Sequence, residues 1–191
     1  FLLNWYFTMA APLDVRAWKL PLTDSLMGSL YQYYVTHEIG HALGLRDGSY
    51  GKLVNPTDSL RSATFLRTTP FTPSVMNYAR FNYAAQPEDS IPPPLLRQRV
   101  GRADVYSIMW GYKPIPSANT VEEERPTLDA WARMQDTSPG LRWVPSELSE
   151  AYSAYNAVDD SDPVRSTALG IQNLKRVMRL LPSATISPGT D

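Results

Sequence analysis

The chain has 191 residues, of which 43% are hydrophobic and 19% are charged, a composition typical of one globular domain with its own core. Eighteen Lys and Arg residues nearly balance 19 Asp and Glu residues, and the formal charge of −1 argues against a nucleic-acid-binding function. Because the chain contains no Cys, disulfides, thiolate nucleophiles and cysteine-ligated zinc are excluded.

The first part of the chain predicts a long helix. Residues 2–10 are apolar and favour a short helix or strand, and no apolar run approaches the roughly 20 residues of a membrane span. Thr23 is a typical N-cap and Gly44 suits the left-handed position after a helix, so a helix is predicted from 24 to about 43. Close packing is expected at the two glycines inside this helix, Gly28 and Gly40.

Helices and loops are predicted for the rest of the chain. From residue 45 to about 99 the sequence loses its period and is rich in proline, which predicts a long irregular connection. Residues 112–126 are predicted as loop, 183–191 as a frayed tail, and further helices at 103–110, 127–135, 145–157 and 163–181. The last helix is predicted to present one apolar face formed by Val164, Ala168, Ile171, Leu174, Met178 and Leu181. No segment predicts a sheet, so the expected fold is mainly α with long irregular loops.

The two histidines of the chain form the sequence HEIGH at positions 37–41. On a helix, residues four apart lie on the same face, so His37 and His41 can bind one tetrahedral zinc ion. Glu38 lies beside them, and a carboxylate that does not bind the metal can accept a proton from water. The alternative is a solvent-facing helix turn with two incidental histidines.

Asp47 is the predicted third zinc ligand. A left-handed residue at Gly44 reverses the chain sharply, so a side chain three residues later can return to the same ion. Asp47 would supply an oxygen ligand and leave the fourth zinc position open to water. The alternative is a surface turn, because the sequence from Arg46 to Ser49 is also turn-forming.

The segment HEIGHALGLRD resembles the extended zinc motif of the metzincins, HExxHxxGxxH/D, in which most members end in His and a minority in Asp. The segment SVMNY at 74–78 resembles their Met-turn. This resemblance implies that Met76 forms an apolar floor beneath the zinc histidines. It also implies that Tyr78 approaches the metal or stabilises the oxyanion, and that Asp104 ties down the backbone of the Met-turn from the start of the next helix.

A closer resemblance covers most of residues 20–181. The order of HEIGHALGLRD, TPSVMNYARFNYAAQP, a WGY helix end and DDSDPVRSTALGIQNLKR is similar to the bacterial Met-zincin proteins, which are zinc-dependent metalloproteases. The resemblance implies a zinc cofactor, a peptide or protein substrate, and export to the periplasm, the cell surface or the medium. Asp47 departs from the many relatives that have His there. An aspartate lowers the charge of the zinc site from +2 to about +1, which weakens its Lewis acidity.

Two other functions stay open at this point. In a thermolysin-like gluzincin, the third ligand is a Glu on a later helix, and the available carboxylates are Glu88 and the run Glu122–Glu124. The chain could instead be a degenerate zinc-fold module that binds a peptide, a glycan or a partner without cleaving it. The intact Glu38 argues against such a module, because a lost enzyme has no reason to keep its base.

Residues 1–182 are interpreted as a fragment of a metzincin-like catalytic domain, followed by the tail 183–191. A metzincin-like domain places a mixed β-sheet before its zinc helix, and the 36 residues that precede His37 are too few to supply one. We therefore expect this sheet to be largely absent from the chain and an upstream domain of the same protein to pack against it. The chain alone is expected to bind zinc but to cleave proteins weakly.

Overall fold

The computed structural model describes residues 2–51, 54–145, 158 and 160–186, and most of these residues are helical. The helices are α1 (Leu2–Ala10), α2 (Asp24–Ala42), α3 (Thr57–Leu60), α4 (Ala63–Thr68), α5 (Arg102–Tyr112), α6 (Val121–Ala132), α7 (Met134–Thr137) and α8 (Pro163–Thr185). Two short strands, β1 (Gly48–Tyr50) and β2 (Trp143–Pro145), pair antiparallel with Ser49 opposite Val144. The predicted mainly α fold is confirmed. In the described part of the chain, no helix is both long enough and apolar enough to cross a membrane.

Helix α2 carries both histidines, and its two ends are defined as the sequence predicts. The Thr23 hydroxyl accepts a hydrogen bond from the backbone N–H of Leu26, 3.3 Å away. At the other end Gly44 has a φ of 85°, and its N–H donates to the carbonyl of His41 at 2.9 Å. The N–H of Leu45 donates to the carbonyl of Gly40 at 3.0 Å, which completes a Schellman motif.

Two apolar clusters hold α2 in place. The larger cluster joins α1, the N-terminal half of α2, the connection 60–96 and α8, and includes Leu30 and Phe81. The smaller cluster consists of Tyr50, Val75, Met76 and Ala103. Tyr33 of α2 packs against both clusters. The position of the histidine-bearing turns of α2 is therefore fixed from two sides.

The two glycines inside α2 differ in their surroundings. A Cβ at position 40 would collide with Sδ of Met76, which is fully buried, so close packing is confirmed there. At position 28 a Cβ would meet nothing within 4 Å in the described part of the chain, and the residue is exposed. The prediction of close packing at Gly28 is wrong, because position 28 lies on the exposed face of α2.

Several predicted boundaries are corrected by the structure. Helix α6 begins at Val121 within the predicted 112–126 loop, because the Thr120 hydroxyl caps it and an acidic first turn, Glu122–Glu124, favours a helix N-terminus. Pro126 lies inside α6, and α5 continues through Gly111. The connection 45–99 contains α3 and α4, which are too short to give a periodic pattern. The predicted helix 145–157 falls outside the described residues except for Pro145, which lies in β2.

Helix α8 buries a different face from the one predicted. Its buried residues are Ser166, Leu169, Asn173, Val177 and Ala184, whereas Val164 is 82% exposed and Met178 is 62% exposed. Buried hydrogen bonds contribute to this orientation of α8, because the Asn173 amide donates to the backbone carbonyls of Tyr83 and Ala85 at 2.8 and 2.7 Å. Such buried hydrogen bonds cannot be read from an apolar period. The helix also passes Pro182 and ends at Thr185, beyond the predicted end at 181.

Substitution of the two α2 glycines by alanine tests this packing. Gly28→Ala is expected to raise the free energy of unfolding by about 0.5–1 kcal/mol, because the unfolded chain loses conformational freedom and no contact is disturbed. Gly40→Ala is expected to lower it by about 1–3 kcal/mol, because the buried Met76 has no space to retreat. Chemical denaturation measures both values, and changes of the same sign would contradict the packing described here.

Candidate metal centre

The imidazoles of His37 and His41 lie one above the other on α2, with ring centroids 4.8 Å apart and ring planes at 85°. Nδ1 of His37 lies 2.9 Å from the carbonyl oxygen of Val75, and Nδ1 of His41 lies 3.0 Å from that of Leu45. A carbonyl oxygen only accepts hydrogen bonds, so Nδ1 carries the proton in both rings. In the neutral rings, both Nε2 atoms therefore keep a free lone pair, which is the arrangement found in metal-bound histidines.

Asp47 faces the same two nitrogens. Its Oδ1 lies 3.2 Å from Nε2 of His37 and 3.5 Å from Nε2 of His41. This oxygen is buried and receives no hydrogen bond from any residue that the structure describes. The three side chains offer ligand atoms within 4.8 Å of one another, and no other group of His, Cys, Asp and Glu in the described residues does so.

These residues fit a zinc ion. The three ligand atoms lie within 4.8 Å of one another, and an uncompensated buried carboxylate oxygen carries a desolvation cost of about 1–3 kcal/mol or more. A cation at this point would neutralise the carboxylate and accept all three lone pairs. Ligand atoms about 2.0–2.2 Å from a tetrahedral zinc ion are separated by roughly 3.3–3.6 Å, and both distances from Asp47 lie within about 0.1 Å of this range.

The turn at Gly44 builds one side of this arrangement. Its left-handed conformation reverses the chain directly after α2, which brings the carbonyl of Leu45 to His41. The same reversal returns Asp47 to the histidine pair. A side chain at position 44 would be strained at this φ even though the surrounding space is open.

The segment 74–78 builds the opposite side. Met76 is fully buried against Gly40 of α2. The Asp104 carboxylate accepts hydrogen bonds from the Ser74 hydroxyl at 2.5 Å, the Val75 N–H at 2.9 Å and the Gly101 N–H at 2.7 Å. Burial raises the pKa of Asp104 above its usual value, although these hydrogen bonds act in the opposite direction. Asp104 thus holds the residue whose carbonyl orients His37.

A cleft of about 210 Å³ opens beside the histidine pair. Its lining includes the predicted site residues His37, Glu38, His41, Asp47 and Tyr78. Glu38 is exposed to the cleft, and the Tyr78 side chain is 48% exposed. The cleft therefore offers a carboxylate and a phenol hydroxyl next to the three converging ligand atoms.

Six further residues that line this cleft were not predicted from the sequence as site residues, and Trp5, Tyr34 and Arg80 are among them. Tyr34 lies one helical turn before Glu38, and the interaction with the Glu38 carboxylate raises the pKa of its hydroxyl. The four-residue spacing of Tyr34 and Glu38 could have indicated this contact. Trp5 and Arg80 come from distant parts of the chain, and no sequence signal connects them.

The carboxylates of the gluzincin alternative lie elsewhere. Glu88 is placed 3.8 Å from both Arg61 and Arg176, and its side chain is 61% exposed. The run Glu122–Glu124 forms the first turn of α6. None of these carboxylates belongs to the group formed by the histidine pair and Asp47.

A larger cavity of about 460 Å³ borders the turn after α2 from its other side. Its walls contain several aromatic side chains, among them Tyr106, Trp110 and Trp143. None of the described residues that line it is acidic or a histidine. The larger cavity therefore offers no carboxylate or imidazole among its described residues to bind a metal or accept a proton. The smaller cleft beside the histidine pair is the better candidate for the active site.

Comparison with known proteins agrees with the geometry. The family model described as Met-zincin matches residues 19–191, which leaves only α1 and the turn after it outside the match. No curated protein and no solved structure matches the chain. The chain belongs to the Met-zincin family, whose members have a zinc metalloprotease-like fold.

Proposed function

We propose that this protein is a zinc-dependent metallopeptidase that hydrolyses peptide bonds. The observation that carries the proposal is the buried Oδ1 of Asp47, which lies 3.2 and 3.5 Å from two histidine nitrogens and has no hydrogen-bond donor among the described residues. Membership of the Met-zincin family supports zinc as the metal. His37, His41 and Asp47 are the proposed ligands.

The neighbouring side chains have distinct proposed roles. Zinc held at this point would polarise a substrate carbonyl and make a neighbouring water more acidic. Glu38 accepts the proton of the attacking water and passes it to the leaving amine nitrogen. The Tyr78 hydroxyl donates a hydrogen bond to the substrate oxygen as it gains negative charge. Tyr34 lies one helical turn before Glu38 and lines the same cleft.

Asp47 makes the proposed site less positive than one with three neutral histidines. Its negative charge leaves about +1 at a zinc site, so activation of water is weaker. Sites with two histidines and one carboxylate nonetheless catalyse peptide hydrolysis in other zinc enzymes. Asp47 therefore tunes the proposed chemistry and does not rule it out.

The non-catalytic alternative is a zinc-fold module that only binds its partner. Such a module would need no proton acceptor, yet Glu38 lines the cleft beside the ligand group. This placement favours the peptidase. We also propose, from the family resemblance, that the substrate is a peptide or protein outside the cytoplasm.

One face of α2 is left uncovered by the described residues. Tyr31, Val35 and Ile39 follow one another at four-residue intervals, and each is at least half exposed. We propose that a β-sheet from an upstream part of the same protein covers this face. In the metzincin architecture that sheet also binds the substrate backbone by strand addition.

Removal of the Asp47 carboxylate tests the metal site. Wild-type protein is expected to bind one zinc ion and to gain about 2.7 kcal/mol of stability at a free zinc concentration of 100 Kd. Asp47→Ala is expected to weaken zinc binding at least tenfold, whereas the control Asp129→Asn, on the exposed face of α6, is expected to bind as wild type. Without metal, Asp47→Ala is expected to be at least as stable as wild type, because it removes a buried oxygen with no donor.

Calorimetric titration and thermal melts, with and without chelator, measure these effects. A melting temperature that does not respond to chelator, together with no bound zinc, would contradict the metal site. Loss of zinc in Glu88→Gln or Glu122→Gln would instead favour the gluzincin alternative.

Substitution of Glu38 tests the proposed proton transfer. Glu38→Gln is expected to keep zinc and to lose activity by about 10²–10⁴-fold, because an amide does not accept the proton of water. Tyr78→Phe is expected to lower kcat by about 10–10²-fold with KM little changed, because its hydroxyl acts in the transition state. Glu122→Gln on α6 is the matched control. Full kcat in Glu38→Gln, measured on a quenched peptide, would overturn the proposed role.

The proposed upstream sheet predicts a difference between two lengths of the protein. At equal zinc occupancy, residues 1–191 alone are expected to digest casein more slowly than a longer chain that includes the sheet, because substrate positioning contributes several kcal/mol, that is, about 10²-fold or more in rate. Initial rates of the two chains provide the measurement. Equal rates would show that the sheet is dispensable for cleavage.

A further inference from the structure

The cleft beside the metal ligands contains a cation that the proposed chemistry does not use. Arg80 lies two residues after Tyr78 and lines the same cleft of about 210 Å³ as His37 and Glu38. Its Cζ lies 3.4 Å from the centroid of the Trp5 ring, so the guanidinium is stacked on the indole. Among the described residues, no carboxylate forms an ion pair with Arg80 and no acceptor receives a hydrogen bond from it.

Stacking on Trp5 fixes the guanidinium without using its donors. A cation above an aromatic face gains about 0.5–2 kcal/mol, and the contact covers one flat side of the planar group. The N–H donors of Arg point outward in that plane and stay available at its edge. Because Arg80 is only partly exposed, its charge has lost some hydration, and no anion within the described part of the chain replaces it.

The group that best satisfies such a guanidinium is a carboxylate. Arg and a carboxylate form two parallel charge-assisted hydrogen bonds, and a fork that is already held in place loses little side-chain freedom on binding. Arg80 and the proposed metal ligands line one small cleft. A peptide whose scissile carbonyl lies at the metal ligands therefore reaches Arg80 with a residue adjacent to the scissile bond.

We propose that Arg80 determines the substrate specificity of this cleft by binding a carboxylate of the substrate next to the scissile bond. Two sources share this chemistry, an Asp or Glu side chain and the free C-terminal carboxylate of a short peptide. The inference rests on the proposed peptidase function and adds a substrate class to it. Trp5 is a positioning residue, because it holds the guanidinium and leaves the donors free. It lies outside the part of the chain that the family model matches.

Paired peptides separate the two sources. One pair differs only by Asp against Asn beside the scissile bond, and a second pair carries a free or an amidated C-terminus. Wild-type protein is expected to prefer the charged member of one pair by about 10–100-fold in kcat/KM, the range for a hydrogen bond to a charged group. Preference in the first pair assigns the side chain as the carboxylate, and preference in the second assigns the C-terminus.

Substitutions at position 80 test whether Arg80 causes the preference. Arg80→Gln is expected to bring the charged-to-neutral ratio close to one, and Arg80→Lys to leave an intermediate ratio, because Lys keeps the charge but not the fork. Arg67→Gln is the matched control, because Arg67 is exposed on α4 and does not line the cleft. An unchanged ratio in folded Arg80→Gln or Arg80→Lys would overturn the proposal.

A binding measurement separates this proposal from the proposed catalysis. Zinc-loaded Glu38→Gln is titrated with the same peptides by calorimetry, and the charged member is expected to bind about 10–100-fold more tightly through Arg80. If wild type cleaves both members of each pair at equal rates and Glu38→Gln binds them equally, the Arg80 proposal fails while the peptidase stands. If no peptide is cleaved but charged peptides still bind through Arg80, the Arg80 contact stands and the catalytic proposal fails.

Discussion

The left-handed turn at Gly44 is the constraint on which the candidate site depends. It ends α2 directly after the second histidine and reverses the chain within a few residues. The reversal places the Leu45 carbonyl on His41 and the Asp47 carboxylate on both Nε2 atoms. The backbone conformation at Gly44 thus determines that Nδ1 of His41 carries the proton. It also places the Asp47 carboxylate opposite the lone pair of Nε2.

The second half of the site is held by buried polar contacts. Asp104 binds the backbone N–H of Val75, and the carbonyl of the same residue orients His37. Met76 occupies the space that a side chain at position 40 of α2 would need. In the resulting ligand group, Oδ1 of Asp47 lacks a hydrogen-bond donor among the described residues. This oxygen lowers the stability of the metal-free protein, and a bound cation would restore it.

The sequence predicts this part of the molecule because its signals are local. The N-cap Thr23, the HEIGH spacing and Gly44 each act within one or two helical turns, and the structure brings the three predicted ligands together. Local sequence signals do not predict features that depend on tertiary contacts. Helix α8 is oriented by Asn173 and the carbonyls of residues 83 and 85, not by its longest apolar row. The contact between Trp5 and Arg80 joins residues 75 positions apart, and no periodicity predicts it.

The central claim is that His37, His41 and Asp47 hold one zinc ion. The most direct measurement is anomalous diffraction at the zinc edge from crystals of the zinc-loaded protein. The account predicts a single strong peak about 2.0–2.2 Å from both Nε2 atoms and from a carboxylate oxygen of Asp47. A peak at Glu88 or in the first turn of α6, or none between the two histidines, would contradict it.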